Sequence, residues 1–83
     1  MKLVYFAWVR ERTGLDEEIV DLPQSVETAG DLLAWLASRG ANYEAAFAEP
    51  RIIRVALDQR HVAHDAVLGE AREVALFPPM TGG

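Results

Sequence analysis

Residues 73–83 read EVALFPPMTGG: an apolar, alternating segment meets two consecutive prolines and finishes on two glycines. The alternation over residues 73–77 predicts a β-strand that presents Val74 and Leu76 on one face and Phe77 on the other. Neither proline has an N–H with which to bond a neighbouring strand, so strand pairing stops at Phe77. We therefore expect the last six residues to project as a tail.

The end of this tail has a chemistry of its own. Gly83 carries a carboxylate with no Cβ beside it, so the group can enter a slot too narrow for any other residue, where it can be activated, loaded and delivered. The alternative is a frayed terminus without function, because chain ends are commonly disordered and tolerant of change. The residues alone leave both interpretations open.

Composition restricts the class of protein. The chain has 83 residues, 51% of them apolar, which predicts one small domain. Without cysteine it has no disulfide, thiolate metal site or cysteine nucleophile. A net charge of −5 disfavours nucleic acid and anionic lipid and favours a basic protein partner. We expect a cytoplasmic protein, because no segment resembles a signal peptide or a membrane span.

Two groups of polar residues are not expected to form functional sites. His61 and His64 lack a third ligand or a cysteine, so we expect no metal site. The acidic run at residues 16–18 is interpreted as a solvated surface and not as a carboxylate pair for general acid–base catalysis, since nothing in the sequence suggests its burial.

The first part of the chain predicts two antiparallel strands. Residues 2–9 are rich in β-branched and aromatic side chains, and apolar residues occupy both faces. Such a strand is either covered on both sides or presents Phe6 and Trp8 to a partner. A polar loop over residues 10–14 would then lead to a second strand over residues 18–22.

A helix is expected to begin near Ala29. Thr28 precedes it as an N-cap, and Asp31 stands where a capping box usually has Glu or Gln. Residues 38–40 supply a polar last turn and a glycine stop. The apolar stripe of this helix is interpreted as core and not as a cofactor site; it consists of Ala29, Leu32, Leu33 and Leu36.

Shorter elements follow before the last strand. Residues 43–49 predict a short helix closed by a proline, residues 52–58 a strand, and residues 59–60 a tight turn into another strand at residues 61–63. The order of elements specifies an α+β domain with the main helix on one face of a mixed sheet. Placing the last strand beside the first would give a ubiquitin-like β-grasp over residues 1–77, with the tail at 78–83.

Several stretches resemble the small, sulfur carrier subunit of molybdopterin synthase, a ubiquitin-like sulfur carrier family. They are VYFA at 4–7, VRE at 9–11 followed by Gly14, VALDQ at 55–59 and, above all, EVALFPPMTGG at 73–83. The resemblance implies that an ATP-using activating enzyme adenylates the Gly83 carboxylate, which then becomes a thiocarboxylate. In the large synthase subunit, two such carriers in turn would give sulfur to a cyclic pyranopterin precursor to form the molybdopterin dithiolene.

The same resemblance assigns roles to residues but no catalysis or cofactor to the chain, since ATP is bound by the activating enzyme. Gly82 and Gly83 form the reactive end, and an apolar docking surface is formed by Phe6, Phe77 and the position of His61. Arg10 either pairs with an acidic surface of the activating enzyme or is a solvated turn residue. The partner-binding residues so implied are Phe6, Arg10, His61, Phe77, Pro78, Pro79, Met80 and Thr81.

The chain departs from the family pattern at three places. His61 stands where an aliphatic residue is more usual, which leaves its part in docking open. Asp58 replaces Asn, and Ala71–Arg72 replaces Gly-Asp, so that turn must form without its usual glycine.

Three other functions remain open at this point. A sulfur carrier for the thiamine thiazole shares the Gly-Gly end and the fold. A ubiquitin-like protein modifier would use the same activated tail to form isopeptide bonds with lysines. A plain interaction domain would have a chemically inert end.

Overall fold

The computed structural model of the protein describes residues 1–79, and in it the first and last strands lie side by side. The predictions made for Met80, Thr81, Gly82 and Gly83 lie outside the described residues. The elements, in chain order, are β1 (Lys2–Tyr5), α1 (Ala7–Thr13), β2 (Glu17–Ile19), α2 (Ala29–Ala37), α3 (Ala41–Ala46), a 3-10 helix (Pro50–Ile52), β3 (Arg54–Leu57), β4 (Arg60–Val62) and β5 (Glu73–Phe77).

The strands form one mixed sheet in the order β2-β1-β5-β3-β4. β1 and β5 are parallel, with Tyr5 opposite Leu76, and the other neighbours are antiparallel. Because β1 and β5 run in the same direction, both end at the same edge of the sheet. The predicted α+β architecture with the last strand beside the first is therefore confirmed.

One face of the sheet packs against the helices. Along β5, Val74 and Leu76 are both fully buried, whereas Phe77 on the other face is half-buried. Full burial of one such aliphatic side chain contributes about 1.5–3 kcal/mol to folding. The core cluster consists of Leu3, Tyr5, Val9, Val20, Ala29, Leu32, Leu33, Leu36, Ala46, Phe47, Ile53, Val55, Leu68, Val74 and Leu76.

The main helix, α2, begins as the sequence predicts. Thr28 Oγ1 accepts a bond from the Asp31 backbone N–H at 3.1 Å, and Asp31 Oδ2 accepts one from the Thr28 N–H at 3.1 Å. A third bond, from the Glu27 N–H, reaches the same oxygen, and these backbone donors lower the pKa of Asp31. Aspartate therefore completes a capping box here despite its shorter side chain. Within residues 1–79, no helix has the length and apolar content that a bilayer crossing demands.

The prediction of a first strand over residues 2–9 was wrong beyond Tyr5. Ala7 has a φ of +51°, in the left-handed region, and the chain turns there into α1. The buried residues of α1 are Val9 and Thr13, whose spacing of four places them on one helical face. Gly14 ends the helix with a φ of +80°, so the loop predicted over residues 10–14 is mostly helical.

Later elements are displaced by a few residues from their predicted positions. The second strand lies earlier and is shorter than predicted, and α3 begins at Ala41 instead of Tyr43. The tight turn is formed by Asp58 and Gln59, not by residues 59–60. Both of its central residues have positive φ, +47° and +72°, as a two-residue type I′ hairpin turn requires.

Candidate functional site

Three rings meet on the outer face of the sheet, at the edge where β5 ends. The ring centroids of Phe6 and Phe77 are 6.5 Å apart in an edge-to-face arrangement, and those of His61 and Phe77 are 5.1 Å apart. Together with Pro78 and Pro79 they line a shallow groove of about 410 Å³. We call these five residues the docking surface. They are the partner-binding residues of the sequence analysis that the structure brings together.

The backbone of the sheet fixes the position of each ring. Phe77 is the last residue of β5 and lies on the face opposite the buried Leu76. Phe6 follows β1 directly, and its N–H donates to the Leu76 carbonyl at 3.2 Å. Since β1 and β5 are parallel and in register, these two phenylalanines come to neighbouring positions at the sheet edge.

His61 reaches the same cluster from a more distant strand. It lies in β4, and β3 separates β4 from β5, so the two backbones are roughly 10 Å apart. The centroid distance of 5.1 Å to Phe77 therefore requires the imidazole to lean across β3. Ala56, the residue paired with His61, is only 4% exposed although it faces outward, as expected for a small side chain under a ring.

The docking surface is open to solvent. Phe6 is 47% exposed, and the His61 side chain is exposed as well. Phe77, Pro78 and Pro79 are half-buried. Exposed aromatic rings grouped in one place are characteristic of sites that bind other proteins. The ring of His61 packs on Phe77, so the patch is continuous but partly polar.

Arg10 lies apart from the groove. Its Nε is 3.7 Å from Asp16 Oδ1, and the two side chains are 53% and 84% exposed. An ion pair this exposed contributes little to stability, about 0–1 kcal/mol. The structure thus places Arg10 at the surface of α1 with an acidic neighbour of its own, and its predicted role toward a partner stays a prediction.

A second polar cluster lies between β2 and the helices, and the sequence analysis missed it. Glu18 Oε2 accepts bonds from the hydroxyls of Tyr5 at 2.7 Å and Tyr43 at 2.8 Å, and Glu18 Oε1 accepts one from Arg39 Nη1 at 3.1 Å. The Glu18 side chain is only 15% exposed. The interpretation of residues 16–18 as a solvated acidic run was therefore wrong for Glu18.

The hydrogen bonds determine the protonation of this cluster. Burial alone raises the pKa of Glu18, but the bonds from Tyr5, Tyr43 and Arg39 outweigh it and leave the pKa lowered. The pKa of Tyr5 is raised, first by burial and then by its bond to the carboxylate. The cluster joins β2 to β1, to α3 and to the loop between α2 and α3, and we assign it to folding, not to partner binding. The guanidinium of Arg39 also lies over the rings of Trp35 and Tyr43.

Comparison with known proteins places the chain in a family. The sequence pattern of the ThiS family matches residues 3–83, nearly the whole chain. The chain belongs to the ThiS family. It is 34% identical over 85 residues to the molybdopterin synthase sulfur carrier subunit of Escherichia coli (strain K12), with 100% of this chain and 99% of the relative covered. The corresponding subunit of Haemophilus influenzae is 29% identical over 83 residues, with the same coverage.

Solved structures agree with this placement. A molybdopterin converting factor, subunit 1, from Pyrococcus furiosus has a TM-score of 0.74 and 30% identity, covering 94% of both chains. The small archaeal modifier protein 1 of Haloferax volcanii has a TM-score of 0.68 and 27% identity, covering 95% of both. The resemblance to the sulfur carrier family and the ubiquitin-like β-grasp are therefore both confirmed.

Two departures of this ThiS-family chain have simple structural explanations. Asp58 Oδ1 accepts bonds from the backbone N–H groups of Arg72 and Glu73, each at 3.0 Å, so only an acceptor oxygen is used. The turn at Ala71 forms without its usual glycine because Gly69, with a φ of +55°, adopts the left-handed conformation two residues earlier. The Ala71 N–H then closes the turn on the Leu68 carbonyl at 3.0 Å.

The two histidines have different surroundings. His64 Nε2 lies 2.7 Å from the Ile53 carbonyl oxygen, which ties the loop after β4 to the start of β3. His61 is instead part of the docking surface. Throughout residues 1–79, no three side chains of a type that binds metals come together as a candidate ion site.

Proposed function

We propose that this chain is the sulfur carrier subunit of a molybdopterin synthase and that the Gly83 carboxylate is the group that carries sulfur. The observation that carries the proposal is the similarity, along the whole chain, to molybdopterin synthase sulfur carrier subunits at 29–34% identity. The docking surface supports it, because Phe6, Phe77 and the two prolines lie where β5 leads into the tail.

The chemistry requires an activated acyl group. A Gly83 carboxylate oxygen attacks the α-phosphorus of ATP and releases pyrophosphate, which gives an acyl adenylate. Hydrosulfide from the sulfur donor then attacks the acyl carbon, AMP leaves with one of the original carboxylate oxygens, and loss of a proton gives the thiocarboxylate. The thiocarboxylate sulfur is in turn the nucleophile toward the pyranopterin precursor. ATP and the sulfur donor are bound by partners, and this chain contributes no general acid or base.

In this proposal, the domain serves the chemistry by presenting the tail to the partners. We propose a domain over residues 1–77 and a tail over residues 78–83. Within the tail, Met80 and Thr81 join the two prolines to the two glycines. Pro78 and Pro79 each have a restricted φ, so less conformational entropy is lost when the tail enters a narrow channel. The glycines at its end need the least width.

The proposed partners are the large synthase subunit, which receives the loaded tail, and the ATP-dependent activating enzyme. Both would bind the docking surface, since each must handle the same tail. The exposed ring of Phe6 and the half-buried ring of Phe77 give the surface an apolar centre. Buried aromatic anchors of this kind account for most of the binding energy in many interfaces. His61 would pack at the side of that centre with its polar edge outward.

One alternative is favoured by a specific observation. The similarity to an archaeal modifier protein, with a TM-score of 0.68, is compatible with attachment of Gly83 to lysines of other proteins. The two functions share the activation step and differ in the nucleophile, which is sulfur in one and an amine in the other. Lysine conjugates that persist in a cell lysate, without a thiocarboxylate, would favour the modifier.

Reconstitution tests the proposal. The thiocarboxylated chain, its large synthase subunit and the pyranopterin precursor should together produce molybdopterin, detected as a fluorescent oxidation product. A variant with one alanine added after Gly83 is the control: it should fold normally and yield no product, because the position of the carboxylate changes but the domain does not. Normal turnover by the extended variant would refute the proposal. Capture of a thiazole synthase in place of the large subunit would assign the chain to thiamine synthesis.

A further inference from the structure

We propose that Arg54 completes the docking surface and that it selects a partner presenting a carboxylate beside an apolar surface. This inference rests on the proposed function, and the partner we assign to it is the large synthase subunit. Arg54 carries no motif that marks it in the sequence. Its place beside Phe77 follows from the pairing of two strands that are far apart in the chain.

The sheet register puts Arg54 next to the aromatic centre. Arg54 opens β3 and lies directly opposite Phe77 in the antiparallel pair of β3 and β5. Side chains at such positions share a face and have Cβ atoms about 4.5–5.5 Å apart. Phe6, Phe77 and Arg54 therefore follow one another across three strands, with His61 beside them. Arg54 is exposed, and its neighbour Ile53 is fully buried on the other face.

The charge of Arg54 is not neutralised within the described part of the chain. Lys2, which also lies on this face, has acidic neighbours: its Nζ is 3.5 Å from Glu17 and 3.8 Å from Glu73. Arg10, which lies apart from the groove, is near Asp16. Among residues 1–79, no carboxylate oxygen lies within 4 Å of the Arg54 guanidinium. In the part of the chain that the structure describes, the outer face thus has an apolar centre with a cation on its β3 side that no carboxylate pairs with.

In the docked complex, Arg54 would favour partners that present a carboxylate. Because Arg54 is paired with Phe77 in the sheet, a partner that covers Phe77 would also remove water from the Arg54 side chain, and a desolvated charge without an acceptor is costly. A carboxylate on the partner compensates for that loss with two parallel N–H bonds, a geometry that guanidinium and carboxylate share. Since the cation lies on one side only, the pair also fixes the rotation of the partner about the ring centre.

The net charge of the chain and the contact of Arg54 with a partner carboxylate affect different steps of binding. The net charge of −5 attracts a partner that is basic overall and raises the association rate. The carboxylate opposite Arg54 would act later, in the docked complex, and would therefore appear in the dissociation rate. We expect the large subunit to combine a basic approach surface with an acidic residue next to its apolar contact.

Binding of the full chain to the purified large subunit, measured by calorimetry at several NaCl concentrations, tests the proposal. The variants are Arg54→Gln, which keeps length without charge, and Arg54→Glu. Arg60→Glu is the matched control, because Arg60 is an exposed strand arginine that precedes His61 and points to the opposite face. Arg54→Gln should weaken binding about tenfold and Arg54→Glu by more, whereas Arg60→Glu should stay within about twofold of the wild type.

The results for the variants and for the wild-type chain test this inference and the proposed function separately. Wild-type affinity of Arg54→Gln would overturn the role of the charge, and equal losses for Arg54→Glu and Arg60→Glu would reduce it to a general field effect. Failure of the wild-type chain to bind the large subunit would contradict the proposed function and this inference together. If the wild-type chain instead dimerises and Arg54→Glu abolishes the dimer, the surface belongs to a second copy and our assignment is wrong. Unchanged thermal unfolding of all variants verifies the fold.

Discussion

Replacing Glu18 with glutamine should destabilise the domain more than any other loss of one negative charge at residues 16–18. The carboxylate accepts three bonds, from Tyr5, Tyr43 and Arg39, and is 15% exposed. In Glu18→Gln one oxygen can still accept the two hydroxyls, but as a neutral acceptor. The new amide group faces the Arg39 guanidinium with a donor where an acceptor is needed.

The magnitude follows from the kind of bond lost. Hydrogen bonds to a charged group contribute about 1.5–3 kcal/mol and neutral ones about 0.5–1.5 kcal/mol, so each hydroxyl bond weakens by about 1 kcal/mol. Loss of the Arg39 contact adds about 1 kcal/mol, because that pair is only partly shielded from solvent. The free energy of unfolding should fall by about 3 kcal/mol, which for a domain of this size lowers Tm by roughly 12–24 °C.

Urea unfolding followed by tryptophan fluorescence measures this change. Glu17→Gln is the control, since the Glu17 side chain is 57% exposed and pairs with Lys2 at 3.5 Å, so its loss should change the free energy by at most about 0.5 kcal/mol. The pKa of Glu18 lies below its ordinary value of 4.5 in the folded protein, so the contribution of its charge is present above that pH. It is lost as the pH falls through the folded pKa.

The difference between wild type and Glu18→Gln should accordingly shrink below pH 4.5. Equal stabilities of Glu18→Gln and Glu17→Gln at pH 7, or a difference that does not change with pH, would refute the reasoning.

Three further changes have expected outcomes. Thr28→Ala removes the side-chain acceptor of the capping box and should lower the free energy of unfolding by about 1 kcal/mol, with Thr28→Ser near the wild type in urea; no loss would show that the cap is dispensable. Gln59→Gly should raise the free energy of unfolding by about 0.5 kcal/mol, and Tm with it, because glycine adopts the positive φ without strain. A lower Tm would contradict this. Phe77→Ala should weaken binding to the large subunit, measured by calorimetry, more than tenfold. It should destabilise the domain far less than Phe47→Ala, which should cost about 3–5 kcal/mol because Phe47 is only 1% exposed. The reverse order of stabilities would remove Phe77 from the docking surface.

The sequence predicted the parts of the fold that depend on local patterns. The capping residues Thr28 and Asp31 and the alternation in β5 each specify their own element, and the structure has both where they were expected. The early end of β1 was not predictable in this way. Val9 and Thr13 are compatible with a strand as well as with a helix, so they do not show where the strand ends. The left-handed conformation of Ala7, a non-glycine residue, has no sequence signal.

The candidate site shows the same division. The tail motif and the resemblance pointed to Phe6, His61 and Phe77, and their proximity is confirmed by the ring distances. Their role in binding stays a prediction. Arg54 and Glu18 were missed because their neighbours, Phe77 in one case and Tyr43 in the other, become adjacent only through strand pairing and helix packing. An acidic run in a sequence does not show which carboxylate meets buried hydroxyls.

The intact mass of the chain after activation tests the central claim most directly. Incubation with the activating enzyme, ATP and a sulfur donor should raise the mass by about 16 Da, the replacement of one oxygen by sulfur. The gain should map to the C-terminal peptide, and a variant lacking Gly83 should not show it. An unchanged mass of the full chain, with the enzyme active on another carrier, would contradict the proposal that Gly83 carries sulfur.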